Sequence, residues 1–515
     1  MTLGPQLDTL EASGLIRLAA TRPELLYLFR HWLVQDAAYT SLLKQERREL
    51  HRLVGESLEK LYPEHPAEQA AELALHFERA EMAGRAVHYL IAAGRYAMER
   101  FAIQEARTFF DRAAALVSSD GDTPEQLRAR VEIALGRIKA GFSIKLYEED
   151  LAIVEAVVPD AEKLGDATLL LDVYLWIALL RQQRGERYET SPDMHHALDR
   201  ATEIGRALGD PSAAALPLAL IGISQVRDGD LRPGTETLER AIPLLEQRRA
   251  WIGASMAIAT LAMGYARMGD FARARQAAER AAALAEGGDP IARLDAQIVK
   301  AMLESMSGNL DEAHNLAQQC VLQADALGSP SCAVFSRFVL GDVQLRKGQP
   351  ELAKPTLERG DILAFGSAFV RPMVEAWLGS AQAALGDTDG ARAAWETAIH
   401  EAVDGGDRFS EALIRLRRAA TLAQEAKPPW SEIVSDLEVG VRVFEAAGAR
   451  PFLADALQLY GRALVQLGRV DEGRTQLARA AQVLESMGMK AKADALRSGL
   501  GAERLSPDVP RTQRG

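Results

Sequence analysis

Residues 262–281 read AMGYARMGDFARARQAAERA, and the spacing inside this stretch decides the fold. A turn pair, Gly269-Asp270, interrupts two runs of strong helix formers. Small residues stand seven positions before the glycine (Ala262), five after it (Ala274) and twelve after it (Ala281). The turn recurs about every 40 residues, at Gly229-Asp230, Gly269-Asp270, Gly308-Asn309, Gly348-Gln349, Gly386-Asp387 and Gly468-Arg469. One turn is skipped near 427, where Lys427-Pro428-Pro429-Trp430 stands instead. The small residues recur with it: Gly222, Ala262, Ala301, Gly341, Gly379 and Gly461 before, Gly234, Ala274, Ala313, Ala353, Ala391 and Gly473 after. Further on come Ala241, Ala281, Cys320, Gly360, Ala398 and Ala480. An alanine-rich chain supplies some of these by chance, but not eighteen in register. Small residues at three fixed offsets let two antiparallel helices, and the first helix of the next unit, approach closely.

A second series lies between these turns: Gly209-Asp210-Pro211, Gly288-Asp289-Pro290 and Gly328-Ser329-Pro330, with weaker members at Gly366-Ser367, Gly406-Asp407, Gly448 and Gly488. Glycine supplies the left-handed residue that closes one helix, Asp or Ser caps the next, and proline suits its first turn. Two interleaved series therefore mark two helices per unit. The predicted fold is all-α.

Composition agrees. The chain of 515 residues is too long for one compact core, yet a repeat array needs none because each unit packs only on its neighbours. Aromatic residues are 6%, and 60 basic against 72 acidic residues leave a net charge of −12. Such a chain lacks the electrostatic footprint for phosphate contacts, so nucleic acid is not an expected partner. No run approaches 18 apolar residues, so no membrane partner is expected. The opening Met1-Thr2-Leu3-Gly4-Pro5 does not read as a signal peptide, and two cysteines, Cys320 and Cys332, suit a reducing compartment. The expected location is cytoplasmic. The cysteines read as reduced and buried, and with only His314 nearby in sequence they make no metal set.

The small-residue pattern resembles the tetratricopeptide repeat, whose small positions fall at these offsets. Its large aromatic positions are mostly replaced, as by Leu218 and Ile258, and the unit is nearer 40 residues than the usual 34. The resemblance implies a right-handed α-α superhelical solenoid of tetratricopeptide-like repeats over about 65–495. Upstream, Gly94, Ala106 and Ala113 bracket Phe101, and Ala178 and Ala197 bracket Gly185. The stretches 120–165 and 410–447 read as helical but off the spacing.

The first sixty residues differ. Residues 6–13 read as a helix, Gly14-Leu15-Ile16-Arg17-Leu18 as a short strand, Leu26-Tyr27-Leu28-Phe29 as its partner, and His31 to about Leu43 as a helix, followed by a basic one with Arg47, Arg48, His51 and Arg52. Helix, hairpin, helix is the second half of a winged-helix domain. The string Phe29-Arg30-His31-Trp32-Leu33-Val34-Gln35-Asp36-Ala37-Ala38-Tyr39 is similar to the end of that domain in bacterial signal-transduction ATPases of the STAND class. That resemblance implies that His31 reaches the β-phosphate of ADP, given an ATPase domain. Trp32 stands where relatives often carry a small or acidic residue. A helix-start histidine satisfied by local backbone is the alternative for His31, and a solvated face is the simpler reading of the basic run. The expected boundaries are 1–45 for the winged-helix half, 46–64 for a connecting helix, 65–500 for the array and 501–515 for a disordered tail.

No catalytic constellation is present. There is no G-x-x-x-x-G-K-[ST], H-E-x-x-H, C-x-x-C or G-x-S-x-G. The nearest phosphate-loop string, Gly136 to Ser143, has Phe142 where lysine must stand and lies in a helix. His195 and His196 are about 100° apart on a helix, and the Glu148-Glu149-Asp150 run reads as solvent-facing. No cofactor, no metal and no enzyme activity are expected; any ATPase or cyclase chemistry would lie in a further N-terminal part. The tetratricopeptide groove-facing offsets fall on Met256, Met263 and Arg267, on Ile298 and Met302, on Phe335, Phe338 and Arg346, and on Met373 and Trp377. An apolar, methionine-rich strip edged by arginines suits a peptide or amphipathic segment. The competing reading places these side chains in the core between repeats. The expected function is a protein- or peptide-binding scaffold, the sensor arm of a STAND-type ATPase or ATPase-linked cyclase, its partner a protein, a peptide or that effector half. The alternatives are a free-standing adaptor and a transcriptional-regulator fragment.

Overall fold

The computed structural model describes residues 4–20, 25–62, 67–100, 102–117, 121–141, 147–188, 190–209, 214–247, 251–285, 290–364 and 370–502. Phe101, Asp210-Pro211, Asp289, Gly366-Ser367, Phe142-Ser143 and the tail from 503 lie outside the described residues. The chain forms two compact units, Met1–Ala140 and Gly141–Gly515.

The first unit opens with helix α1 (Gly4–Ala12), strands β1 (Ile16–Ala20) and β2 (Leu26–Phe29) and helix α2 (Trp32–Ser41). The strands pair antiparallel, Ile16 opposite Phe29 and Leu18 opposite Tyr27, with an irregularity between Leu18 and Ala20. Glu11 at the end of α1 accepts the Leu18 amide at 3.0 Å, tying helix to strand. Helices α3 (Lys44–Leu61), α4 (Ala70–Arg79), α5 (Ala83–Glu99), α6 (Ile103–Leu116) and α7 (Pro124–Gly141) follow. Glycines set the packing here: a Cβ at Gly55 would lie 2.8 Å from Phe77, and one at Gly94 2.7 Å from Phe110. Gly136 lies mid-helix against Phe110 as well, so the phosphate-loop lookalike is a helix-packing glycine. Arg48 pairs with Glu81, and Arg52 with Glu49 and Glu56, so the basic run is largely neutralised within its own unit.

The second unit contains α8 (Tyr147–Ala156), α9 (Val158–Leu164), α10 (Ala167–Gln183), α11 (Pro192–Ala207), α12 (Ala215–Asp228), α13 (Leu231–Gln247), α14 (Trp251–Arg267), α15 (Phe271–Ala285), α16 (Pro290–Ser307) and α17 (Leu310–Leu327). It continues with α18 (Pro330–Arg346), α19 (Pro350–Ala364), α20 (Arg371–Ala384), α21 (Thr388–Asp404), α22 (Arg408–Leu422), α23 (Trp430–Ala447), α24 (Arg450–Gln466), α25 (Val470–Ser486) and α26 (Lys490–Ala502). Each even helix from α10 to α24 packs on the odd helix after it. The spacing fails at 120–165 because the chain breaks at Val157 into two short helices. It fails at 427 because Pro429 takes over the cap of α23. Asp150, expected in solvent, is instead fully buried on α8.

The turn glycines have the left-handed backbone that the sequence demanded, from φ +71° at Gly348 to +94° at Gly229. All eighteen small positions are buried. The reason is a size match across each helix pair. A Cβ at Gly222 would lie 2.8 Å from Leu238, at Gly341 2.6 Å from Leu357, at Gly379 2.9 Å from Trp395 and at Gly461 2.6 Å from Leu477. Each partner stands nine residues after the turn glycine. Where alanine replaces glycine, at Ala262 and Ala301, that ninth residue is alanine too, Ala278 and Ala317.

Candidate binding surface

Consecutive even helices from α10 to α24 touch one another, whereas consecutive odd helices do not pack comparably. The even helices therefore line the inside of the curve. Along that inner side, three turns are each tied to the preceding one by an arginine two residues before the turn glycine. Arg227 donates to the Gln182 carbonyl at 3.0 Å, Arg267 to the Val226 carbonyl at 2.9 Å, and Arg346 to the Ser305 carbonyl at 2.6 Å. Each acceptor stands three residues before the preceding turn glycine, where a helix end leaves carbonyls without an intrahelical partner. Arg267 and Arg346 are thus committed to backbone, a role their sequence position did not reveal.

The expected strip lies on this inner side. Ile298 is buried, Arg346 is exposed, and Met256, Met263, Arg267, Met302, Phe335, Phe338, Met373 and Trp377 are half-buried. Met302, Phe335 and Phe338 pack against the core shared by α16, α17 and α18. Phe338 and Trp377 meet edge to face at 5.1 Å, and Arg417 lies 5.3 Å over the Trp377 ring. The Trp377 indole donates to Asp342 at 2.8 Å, and Ser305 donates to the same carboxylate at 3.2 Å. Arg417 lies 3.7 Å from Asp342 and donates to Ser380 at 3.2 Å. Burial pulls the Arg417 guanidinium down and Asp342 holds it up. One polar chain therefore crosses α16, α18, α20 and α22 beneath the aromatic rings. The structure brings Trp377 and Arg346 to Asp342, with Phe338 against the Trp377 ring, while Met373 contacts Ser410 at 3.8 Å. Met256 and Met263 stay on α14, apart from this network.

His31 caps α2, its Nδ1 accepting the Leu33 amide at 3.2 Å. Cys320 and Cys332 are buried and not joined in a disulfide, the Cys332 thiol donates to Asp295 at 3.3 Å, and burial pushes Cys320 up to about 11. His195 pairs with Asp199 at 3.3 Å and His196 lies edge-on to Tyr174, so the two diverge.

Sequence reasoning missed a seam. The array meets itself: α12 contacts α22, and α14 contacts α24. Arg187 bridges Asp407 at 2.8 Å and Asp228 at 3.4 Å, with all three side chains largely withdrawn from solvent. Asp407 also caps α22, accepting the Ser410 amide at 2.8 Å. Arg267 lies 4.8 Å over the Phe409 ring, and Arg450 donates to the Met268 carbonyl at 2.6 Å, across 182 residues. Burial pulls Arg227 and Arg267 down to about 10, against the opposing pull of Asp228 and Asp407. Beside the seam is a cavity of about 470 Å³ between α16 and α18 on one side and α24 to α26 on the other.

The tetratricopeptide repeat profile matches residues 259–280 and 372–397, which bracket the turns at Gly269 and Gly386. A Rap protein complexed with competence and sporulation factor superposes with a TM-score of 0.53 at 13% identity, covering 72% of this chain and all of that one. The fold is a tetratricopeptide-like α-α solenoid. A STAND protein with a tetratricopeptide repeat sensor from Pyrococcus horikoshii aligns at 15% identity with a TM-score of 0.38, over 89% of this chain and 74% of that one. An uncharacterized protein of Rhizobium meliloti (strain 1021) is 34% identical over 155 residues, 28% of this chain. This chain spans 15% of that relative's length. Among the described residues no helix is long and apolar enough to cross a membrane.

Proposed function

We propose that this chain is a non-catalytic protein- or peptide-binding scaffold, the sensor and interaction arm of a STAND-type signalling ATPase or an ATPase-linked nucleotide cyclase. The observation that carries the binding role is the inner face of α16 to α22. Half-buried Phe335, Phe338 and Trp377 stand there over a fixed polar chain, and aromatic anchors held rigid in this way lose little entropy on binding. The Rap protein of like fold is complexed with competence and sporulation factor, which supports the same use here. Partner candidates are a protein, a peptide or the effector half of the same machine.

The signalling context rests on the first unit. The order α1, β1, β2, α2 follows the second half of a winged helix, and His31 opens α2 as the STAND resemblance requires. Between 4 and 62, only Ile16 and Gly55 are buried among the described residues, while Trp32 is 69% and Leu43 69% exposed. An apolar surface of that density supports a docking role for this segment.

A photocrosslinking amino acid at Met263 or Phe335 of the full chain should capture one partner. The same group at Leu322 or Ile362, exposed on odd helices, should not. Purified partner should then bind Phe338→Ala about tenfold more weakly, with helicity unchanged. Equal capture from both faces would refute the inner-face assignment.

A further inference from the structure

The cavity beside the seam has an unusual wall. Its first side comes from Met306 on α16 and Arg346 on α18; its second comes from Asp455 and Arg462 on α24, Met487 after α25 and Lys492 on α26. Three cations thus face one carboxylate across thioether and methylene surface. Among the described residues, Arg462 makes no hydrogen bond or ion pair, and Lys492 has only a longer-range attraction to Asp455. Arg346 and Lys492 both attract the Asp455 carboxylate, while desolvation pushes that carboxyl up. Near the seam, by contrast, Arg227 and Arg267 are taken up by carbonyls, Arg187 by Asp228 and Asp407, and Arg417 by Asp342 and Ser380. Two cations left without close partners beside methionine side chains form a site for an anion that also carries an apolar body. The volume of about 470 Å³ lies within the ~300–1,000 Å³ of small-ligand pockets.

We propose that this cavity binds a small amphiphilic anion, an apolar chain ending in a carboxylate or phosphate, with its head on Arg462 and Lys492 and its chain against Met306 and Met487. The occupant touches helices more than 140 residues apart in sequence, so it ties the two walls of the seam together. This site does not depend on the protein-binding reading, since its residues other than Arg346 lie off the aromatic strip.

The test uses the full chain and decanoate below its micellar concentration, followed by calorimetry and hydrogen exchange. Decanoate is expected to bind saturably, and R462M and K492M should each weaken it about tenfold. D455N should tighten it. Both cationic variants alter exposed side chains, so circular dichroism should match the parent. Bound decanoate should slow exchange at the Gly269 turn. Decyltrimethylammonium and decan-1-ol should bind at least tenfold more weakly than decanoate. Decanoate binding unchanged in the R462M/K492M double variant, equal binding of the cationic amphiphile, or unaltered exchange at Gly269 would each overturn the proposal.

Discussion

The same turn glycine lives in two different worlds in this array. At Gly308, Gly348, Gly386 and Gly468 nothing would stand within 4 Å of an added Cβ. At Gly229 it would meet Phe409 at 2.7 Å, and at Gly269 it would meet Met487. The two crowded turns belong to the repeats that meet α22 and α24 one winding later. A solenoid is ordinarily a sum of neighbour terms, but here Arg187–Asp407 and Arg450–Met268 add terms across some two hundred residues. Repeats alike in sequence therefore differ in what they hold together.

The largest effect should come from breaking the seam itself. Arg187→Met strands Asp407 and Asp228 in a largely dry site and should cost about 3–5 kcal/mol in denaturant unfolding. Arg392→Met, which loses an exposed pair with Glu432 at 3.4 Å, should cost less than about 1 kcal/mol. Comparable losses would dissolve the distinction between seam and open repeats. Next, Gly341→Leu drives a side chain into Leu357 within an open repeat and should cost about 1–3 kcal/mol. Hydrogen exchange should rise in α18 and α19 and stay unchanged at the Gly229 turn.

Glu375 sharpens the comparison through pH. Burial first, then the neighbouring Glu401, pushes its carboxyl up to about 7 from 4.5. A folded-state pKa above the unfolded one means that ionised Glu375 opposes folding above pH 7. That penalty fades as pH falls through 7 and is gone near 4. Glu375→Gln should stabilise the protein by about 1–2 kcal/mol at pH 8 and by almost nothing at pH 4; a gain independent of pH would contradict the assignment. Smallest is the difference between two alanine substitutions. Gly348→Ala meets only backbone strain, while Gly229→Ala meets strain and Phe409, and should cost about 1 kcal/mol more.

Much of the fold was legible because its signals are local. Helix-closing glycines and caps act within a few residues, and the small positions report contact between adjacent helices, so Gly222, Ala274 and Ala480 could be placed without coordinates. The hairpin at 16–29 was legible for the same reason. The candidate surface was legible only in outline. Phe338 and Trp377 fell on one face by periodicity, but their anchoring by Asp342 depends on the rotation between repeats, which no spacing encodes. Arg267 and Arg346 looked available for a ligand because the acceptor carbonyls lie about 40 residues upstream. The seam left no trace, since Arg450 and Met268 share no motif. Asp150 misled because an acidic run in a first helical turn reads as solvent-facing, whereas α8 packs on α10 and buries that side chain.

The paired sizes across each turn have a consequence for how such an array can change over generations. Gly341 with Leu357 and Ala301 with Ala317 are two dialects of one joint, alike in spacing and unlike in volume. Exchanging whole helix pairs keeps each joint intact. Exchanging single helices would set Ala301 against leucine or leave Gly341 facing alanine, a clash in one case and a void in the other. Recombination within this chain should therefore succeed in units of about 40 residues and fail at half that length, so the joint defines the smallest heritable module.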